Sequence, residues 1–347
     1  MKVLAIESTL DETAASVVES SGSGVGIVSS VVASSANLHV KYGGVVPEIA
    51  AREQLKLIIP VLMESIGEQE INEIDAVAAA FGPGMMGCLL IGVETAKALA
   101  WVWNKPLLKV NHIGAHLLAN WIIDLRSQMS DVRLPEFPAV GLVASGGHTD
   151  FFLMENVNDW KWIGGTRDDA VGEAFDKAGR IFGLPYPAGP AIDKISKEVS
   201  DEEYKELNKE DKLPRPLIHD KTLDMSFSGL KAAVARAADN RSLIVDSRSK
   251  NIMIRDFSEA VTEVLVAKTK IALEKYKPKS LLLGGGVAAN SKIREALKKL
   301  GEEFSIPFFV PELKYCGDNA AMIGAAAIMR PVEASFDDSP EPGMDVV

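Results

Sequence analysis

A duplicated α/β fold in two halves is what this 347-residue sequence predicts, and three observations carry the prediction. A strand, a small polar turn and a second strand occupy residues 3–18, and the same pattern recurs at residues 139–155. Glycine or small-polar turns follow apolar strands at residues 7–13, 145–149 and 284–287. The length also exceeds what one hydrophobic core serves, since single cores stop growing at about 250–300 residues. A cleft between the halves is the expected place for a ligand.

Taken in order, residues 3–6 form a short apolar strand ending in Glu7-Ser8-Thr9-Leu10-Asp11-Glu12-Thr13. Residues 14–18 return as a second strand, and Gly22-Ser23-Gly24 turns the chain into a third at 26–32. Residues 48–68 read as a helix that Pro60 kinks or divides. A buried strand at 75–80, a helix at 93–103 and a strand at 106–110 then lead to Val110-Asn111-His112-Ile113-Gly114-Ala115-His116-Leu117. The charge-free apolar run 76–93 has membrane length. However, Gly82-Pro83-Gly84 and Gly87 break it, so a buried strand, a glycine loop and a helix start are expected there.

The pattern restarts after Pro135-Glu136-Phe137-Pro138 with strands at 139–144 and 150–155 around Ser145-Gly146-Gly147-His148-Thr149. Residues 168–182 are helical by amphipathicity, and Pro185, Pro187 and Pro190 predict an irregular loop. Residues 196–213 read as a solvated helix with loop ends, and 251–275 as a long helix. A strand at 280–283 runs into Gly284-Gly285-Gly286, followed by a helix at 288–300 and a strand at 308–310. Cys316-Gly317-Asp318-Asn319-Ala320 enters a small-residue helix. The predicted division is 1–134, then 135–330 with its last helix packing back on the first half, then an acidic disordered tail at 331–347.

Composition limits the function. Net charge is −11, but Glu333, Asp337, Asp338, Glu341 and Asp345 of the tail account for five of those charges, so the body is compatible with an RNA partner. Cys88 and Cys316 form no C-x-x-C pair, which argues against a disulfide framework and fits a reducing compartment. The first strand follows Met1-Lys2 directly, leaving no room for a signal peptide. A cytoplasmic protein with no membrane association is expected. The Met85-Met86 pair, Trp101 and Trp103 read as core.

Only five histidines occur, and His112 and His116 stand four apart, on one face if the segment is helical. Asp318 is either the N-cap of the last helix or a carboxylate that completes a metal site with those two histidines. Two imidazoles and a carboxylate suit iron(II) or zinc(II). Asp11 and Glu12 are either plain turn residues or groups facing an anionic ligand, where they would position a hydroxyl or accept a proton. Asp176 is either helix surface or a ligand contact. His39 and His148 read as loop hydrogen-bonders. The three glycine turns match neither G-x-x-x-x-G-K-[ST] nor G-x-G-x-x-G, yet suit a nucleotide held by backbone N–H groups.

Several stretches together resemble one family. They are Ile6-Glu7-Ser8 with Asp11-Glu12-Thr13, Tyr42-Gly43-Gly44-Val45-Val46-Pro47-Glu48, His112-Ile113-Gly114-Ala115-His116-Leu117 and Ser145-Gly146-Gly147-His148-Thr149. Asp168-Asp169-Ala170, Gly172-Glu173-Ala174-Phe175-Asp176-Lys177, Phe227-Ser228-Gly229-Leu230-Lys231, Gly284-Gly285-Gly286-Val287-Ala288-Ala289-Asn290 and Asp318-Asn319-Ala320 extend the match. The chain resembles the tRNA N6-adenosine threonylcarbamoyltransferases, formerly called O-sialoglycoprotein endopeptidases. The resemblance implies the duplicated actin-like ATPase (ASKHA, ribonuclease H-like) fold, with two lobes around a nucleotide cleft. It implies transfer of the threonylcarbamoyl group of threonylcarbamoyl-AMP to N6 of adenosine 37, in tRNAs reading codons that begin with A, with release of AMP.

By the same resemblance His112, His116 and Asp318 would hold one divalent metal ion per subunit, iron(II) ahead of zinc(II). Val143, Ala144, Ser145, Gly146 and Gly147 would cradle phosphate, and Asp176, Gly189, Asp193 and Asn290 would hold the nucleotide and acyl parts. Gly284-Gly285-Gly286 would lie along the adenosine, and Asp11 and Glu12 would serve positioning or proton transfer. The implied partners are tRNA, a TsaB-like non-catalytic paralogue and a TsaE-like P-loop ATPase.

The chain departs from the family pattern at several positions. Thr9-Leu10 replaces Ser-Cys, Gly114 stands where many bacterial members have Glu, and Ala188 replaces a glycine. Val143 and His148, in place of the archaeal Tyr and Asn, favour the bacterial branch. An ATP-dependent kinase or O-carbamoyltransferase acting on a small molecule is the alternative on this fold. A zinc protease is disfavoured because H-E-x-x-H is absent.

Overall fold

The computed structural model describes residues 1–123, 125, 133–239 and 245–346. In chain order the first elements are β1 (Lys2–Glu7), β2 (Glu12–Ser21), β3 (Gly24–Ser34), α1 (Ala36–His39), α2 (Pro47–Ile66), β4 (Ala76–Gly82), α3 (Met86–Trp103), β5 (Leu107–Asn111), α4 (His112–Leu118) and β6 (Ile122–Ile123). Next come β7 (Ala139–Ala144), β8 (Thr149–Met154), β9 (Trp160–Gly165), α5 (Val171–Ile181), α6 (Gly189–Glu198), α7 (Asp201–Lys205), α8 (Ser228–Asp239) and α9 (Ser247–Tyr276). The last are β10 (Ser280–Gly284), α10 (Ser291–Glu303), β11 (Phe308–Phe309) and α11 (Ala320–Met329).

The chain separates into two units. One comprises Met1–Glu136, Glu155–Trp160 and Pro311–Val347, the other Phe137–Met154 and Lys161–Val310. The first unit carries a sheet in the order β5-β4-β1-β2-β3-β6 and the second one in the order β11-β10-β7-β8-β9. In each, the first strand pairs antiparallel with the next and parallel with a strand reached by a helical crossover. The two sheets therefore share one topology, which is the duplication that the repeated strand–turn–strand pattern predicts.

Local chemistry explains the elements that frame the site. Val3, Leu4, Ala5 and Ile6 of β1 are fully buried, flanked by β2 and β4. Gly22 takes φ 58°, the left-handed turn that closes the β2–β3 hairpin. Ile58, Val61 and Leu62 of α2 and Val93, Ala96 and Ala100 of α3 pack with Leu4, Ile6, Val77 and Phe81 into one core. Pro60 lies inside α2 and does not divide it. Among the described residues one helix, α3, has the length and apolarity to cross a membrane, and it packs on β4 and α2.

The structure departs from the sequence reading at particular places. α3 begins seven residues earlier than expected, at Met86, directly after the glycine loop. β9 and α8 were not signalled by periodicity. The expected proline loop contains α6, whose Pro190 occupies the first turn, where its missing N–H has no partner to lose. Trp103 packs against the core, but Trp101 is 73% exposed and Met86 46%, so neither belongs to it.

The acidic tail expected to be disordered is folded onto the first unit. Its backbone bonds to Lys109, Leu107, Phe81 and Gly84, and Phe336 meets Trp101 edge-on at 5.6 Å. Composition tracks missing apolar content, whereas this segment is held by strand-edge hydrogen bonds.

Candidate functional site

β5 delivers the chain into α4 through Asn111, whose Oδ1 accepts from Gly114 N at 2.9 Å and caps the helix. One helical turn then separates His112 from His116, and their rings stand edge to face with centroids 4.7 Å apart. Asp318 comes from just before α11. The cap of that helix is Asn319, whose side chain accepts from Met322 N at 3.0 Å. The Asp318 carboxylate faces the histidines instead, with Oδ1 3.6 Å from His112 Nε2 and 3.3 Å from His116 Nε2. One ligand atom from each of the three lies within 4.8 Å of the others.

The donor set passes a test for a metal. Nδ1 of His116 is buried without a hydrogen-bond partner, and Nε2, equally buried, faces only the Asp318 carboxylate at 3.3 Å in poor hydrogen-bond geometry, a costly state that a bound cation at Nε2 relieves. Burial first, with the His112 charge, lowers the His116 imidazole despite Asp318, which leaves it neutral and able to donate a lone pair. At His112 burial acts downward too, but the Glu7 and Asp318 carboxylates outweigh it and raise the imidazole to about 9. A cation there replaces that proton. Two imidazoles and a carboxylate fit iron(II) or zinc(II).

Glu7 stands beside the histidines although the sequence reading gave it no role. It is fully buried at the end of β1, and its Oε2 lies 3.0 Å from His112 Nδ1 although 105 residues separate them. Its Oε1 accepts from Thr9 N at 2.6 Å, and Thr9 Oγ1 is 3.3 Å from the same His112 nitrogen. A carboxylate on Nδ1 fixes the ring and directs Nε2 toward the ligand position. The available signal was an acid closing an otherwise apolar strand.

Asp11 and Glu12 follow in the same loop. Burial first, then Asp318 and Asp11, push the Glu12 carboxyl up to about 9. Burial also raises Asp11, opposed by its hydrogen bond with Glu12 and reinforced by Asp318. The structure therefore brings both acids into the electrostatic neighbourhood of Asp318. His39 is buried and bonds Ser35 Oγ and Val46 N, each at 3.3 Å, in a structural role.

In the second unit Val143 and Ala144 end β7, and Ser145, Gly146 and Gly147 turn the chain into β8. Gly172 N at the start of α5 donates to Ser145 O at 3.1 Å. A Cβ on Gly172 would lie 2.5 Å from that oxygen, so only glycine lets the helix approach so closely. Gly285, at φ 93°, is pressed against Ala144 O, where a Cβ would come within 2.4 Å. The glycine run after β10 thus lies beside the turn after β7.

Asp193 on α6 accepts from Ser291 N and Oγ at 3.2 and 2.8 Å, and Asn290 caps α10 through Ile293 N at 3.1 Å. Asp176 Oδ1 accepts from Ala188 N at 2.7 Å, next to Gly189 at the start of α6. Asp193 and Asn290 are therefore neighbours through Ser291, and Asp176 and Gly189 through Ala188. Ala188, the departure from a glycine, sits against Gly179, where a second Cβ would approach to 2.1 Å.

Asp168, which the sequence reading gave no role, joins two of the family-like stretches. It accepts from Ser226 Oγ, Ser228 Oγ and the N–H groups of Phe227 and Ser228 at 2.6–3.1 Å. Burial would raise its carboxyl, but these bonds hold it at about 2.

Comparison with known proteins shows the family. A family model described as TsaD: tRNA N6-adenosine threonylcarbamoyltransferase matches residues 26–325. The tRNA N6-adenosine threonylcarbamoyltransferase of Persephonella marina is 42% identical over 95% of this chain and 90% of its own length. That of Enterococcus faecalis is 40% identical over 99% and 94%. Among solved structures, the activator of the 2-hydroxyisocaproyl-CoA dehydratase from Clostridium difficile with bound ADPNP aligns with a TM-score of 0.52. It is 12% identical, over 95% of this chain and 94% of that one. Component A of the Acidaminococcus fermentans (R)-2-hydroxyglutaryl-CoA dehydratase aligns at 0.50, 12% identical over 94% and 96%. At such identity these likenesses speak for fold alone, the duplicated actin-like ATPase fold. Identity of 40–42% along nearly the whole length goes further, and the chain belongs to the tRNA N6-adenosine threonylcarbamoyltransferase family.

Proposed function

We propose that this protein transfers the threonylcarbamoyl group of threonylcarbamoyl-AMP to N6 of adenosine 37 in tRNAs reading codons that begin with A, releasing AMP. The observation that carries the reading is the convergence of His112, His116 and Asp318, with His112 oriented by the buried Glu7. A divalent metal bound by those three, iron(II) ahead of zinc(II), would supply Lewis acidity toward the acyl-phosphate end of the substrate.

The rest of the work falls to the chain's own groups. Backbone N–H groups of Gly146 and Gly147 would hold phosphate oxygens, since a Cβ on either glycine meets nothing within 4 Å, while Ser145 N donates to His148 O at 2.8 Å and keeps the turn closed. Asp176, Gly189, Asp193 and Asn290 would hold the nucleotide and acyl parts, while Gly284-Gly285-Gly286 would lie along adenosine. Asp11 and Glu12 would position the attacking amine or take its proton, a role suited to two acids whose pKa values burial has raised.

The partners that the family implies also find support. Leu55, Ile59 and Met63 form an exposed stripe at i, i+4, i+8 on α2, and Met86 and Leu90 are exposed on α3 beside it. This helical apolar face would receive the TsaB-like paralogue, with the TsaE-like P-loop ATPase and tRNA joining that assembly in the cytoplasm.

The test is reconstitution with those two partners, the adenylate-forming synthase, threonine, bicarbonate, ATP and unmodified tRNA. Mass spectrometry of the digested tRNA is expected to show threonylcarbamoyladenosine. Its absence, together with phosphorylation or O-carbamoylation of a small molecule, would overturn the proposal.

A further inference from the structure

The segment after α11 is used by none of the chemistry above, yet it is bonded to β5, the strand that leads into the histidine helix. Lys109 N donates to Val332 O and Ala334 N to Leu107 O, both at 2.9 Å, with Leu108 and Glu333 paired antiparallel. These bonds close the open edge of β5. Farther along, Glu341 N donates to Phe81 O at 2.8 Å and Gly84 N to Pro342 O at 3.2 Å. The carbonyls of Met344 and Asp345 then accept from Asn111 Nδ2 at 3.2 and 3.0 Å. Oδ1 of that same amide caps α4. One side chain thus ties the C-terminal segment to the start of the histidine helix.

We propose that Asn111 is a positioning residue, through which residues 331–346 act as a strap that holds α4, and His112 at its first position, in register for metal binding. The inference rests on the reading of His112, His116 and Asp318 as metal ligands. α4 is only seven residues long and buried throughout, so its register is set by the groups packed and bonded around it, and His112 is its first residue. Glu7 fixes the His112 ring, and Asn111 fixes the backbone beneath it. Partners that orient a metal ligand from outside the ligand set carry about 10–100-fold in metal affinity.

Two substitutions separate the strap from the cap. Asn111→Asp keeps an acceptor for Gly114 N but loses the donor to Met344 and Asp345. Gly82→Ala keeps the Asn111 side chain, although Gly82 is its partner across β4 and β5, and places a Cβ 1.9 Å from Glu341 O, which drives the strap off. Full-length metal-free protein and both variants would be titrated with Co(II), read by d–d absorption, with thermal unfolding measured alongside.

Wild type is expected to bind Co(II), and each folded variant to bind it at least about ten-fold more weakly with a changed band envelope. The double variant should be no weaker than the weaker single one, because both break one linkage. Wild-type affinity and spectrum in a folded Asn111→Asp overturn the strap, whatever the fate of Gly82→Ala. Failure of the wild-type protein to bind Co(II) overturns the metal reading itself, a distinct result.

Discussion

The duplicated fold places two loops at equivalent positions, one after β1 and one after β7, and they are built in opposite ways. In the first, Glu7, Ser8, Thr9 and Asp11 are buried, and Gln54 Nε2 from α2 donates to the carbonyls of Ser8, Leu10 and Glu12 at 3.0 Å each. In the second, Gly146 and Gly147 are exposed, with open space where a Cβ would stand. The first loop is braced so that its side chains stay in place. The second is bare so that its backbone can be approached. Ligation of a metal by a fixed histidine needs the former, and cradling an anion with N–H groups needs the latter.

The largest expected effect breaks the braced side. His116→Ala should lower transferase activity by at least about 1,000-fold and abolish stoichiometric metal on elemental analysis, because Lewis-acid stabilisation is worth several kcal/mol. Next, Gln54→Ala should destabilise the protein by about 2 kcal/mol in urea unfolding, since the two amide N–H groups that the carbonyls of Ser8, Leu10 and Glu12 share are lost. Glu7→Gln should fold normally but weaken metal binding about 10–100-fold, as measured by competition with a chelator. Smallest in stability is Gly146→Ala on the open side, within about 0.5 kcal/mol of wild type. If the bare backbone is what the substrate meets, the KM for threonylcarbamoyl-AMP rises several-fold in that variant while its unfolding curve stays put.

The two loops also differ in how far the sequence discloses them. Ser145-Gly146-Gly147 is legible because it needs only local chemistry, a strand followed by residues without bulk. His112 and His116 are legible for the same reason, as an i,i+4 pair. Asp318 is legible as a candidate, although the structure, by giving the cap to Asn319, is what removes its competing role. Glu7 is different. It stands in the family-like stretch Ile6-Glu7-Ser8, but its partner His112 lies 105 residues away, and only the fold brings the two together.

The fold divides along the same line. β1, β2, β4, β7 and β10 follow from buried apolar runs, and the repeated order of the two sheets follows from their spacing. β9 escaped because Gly164 and Gly165 dilute its pattern, and α6 because three prolines read as a break although only Pro190 falls within the helix. The tail escaped because what orders it is backbone pairing with β5, Phe81 and Gly84, to which composition is blind. Trp101 shows the reverse failure. A large aromatic on a helix was assigned to the core, and instead it stands in solvent with Phe336 beside it.

The central claim is that α4 and the loop before α11 build one metal site. The most direct measurement is an anomalous difference map at the iron edge, from crystals of the protein purified with iron(II). A single strong peak bounded by His112, His116 and Asp318, with Glu7 on the far side of His112, is the result expected. Peaks only elsewhere, with His116 bonded to protein groups, would contradict it.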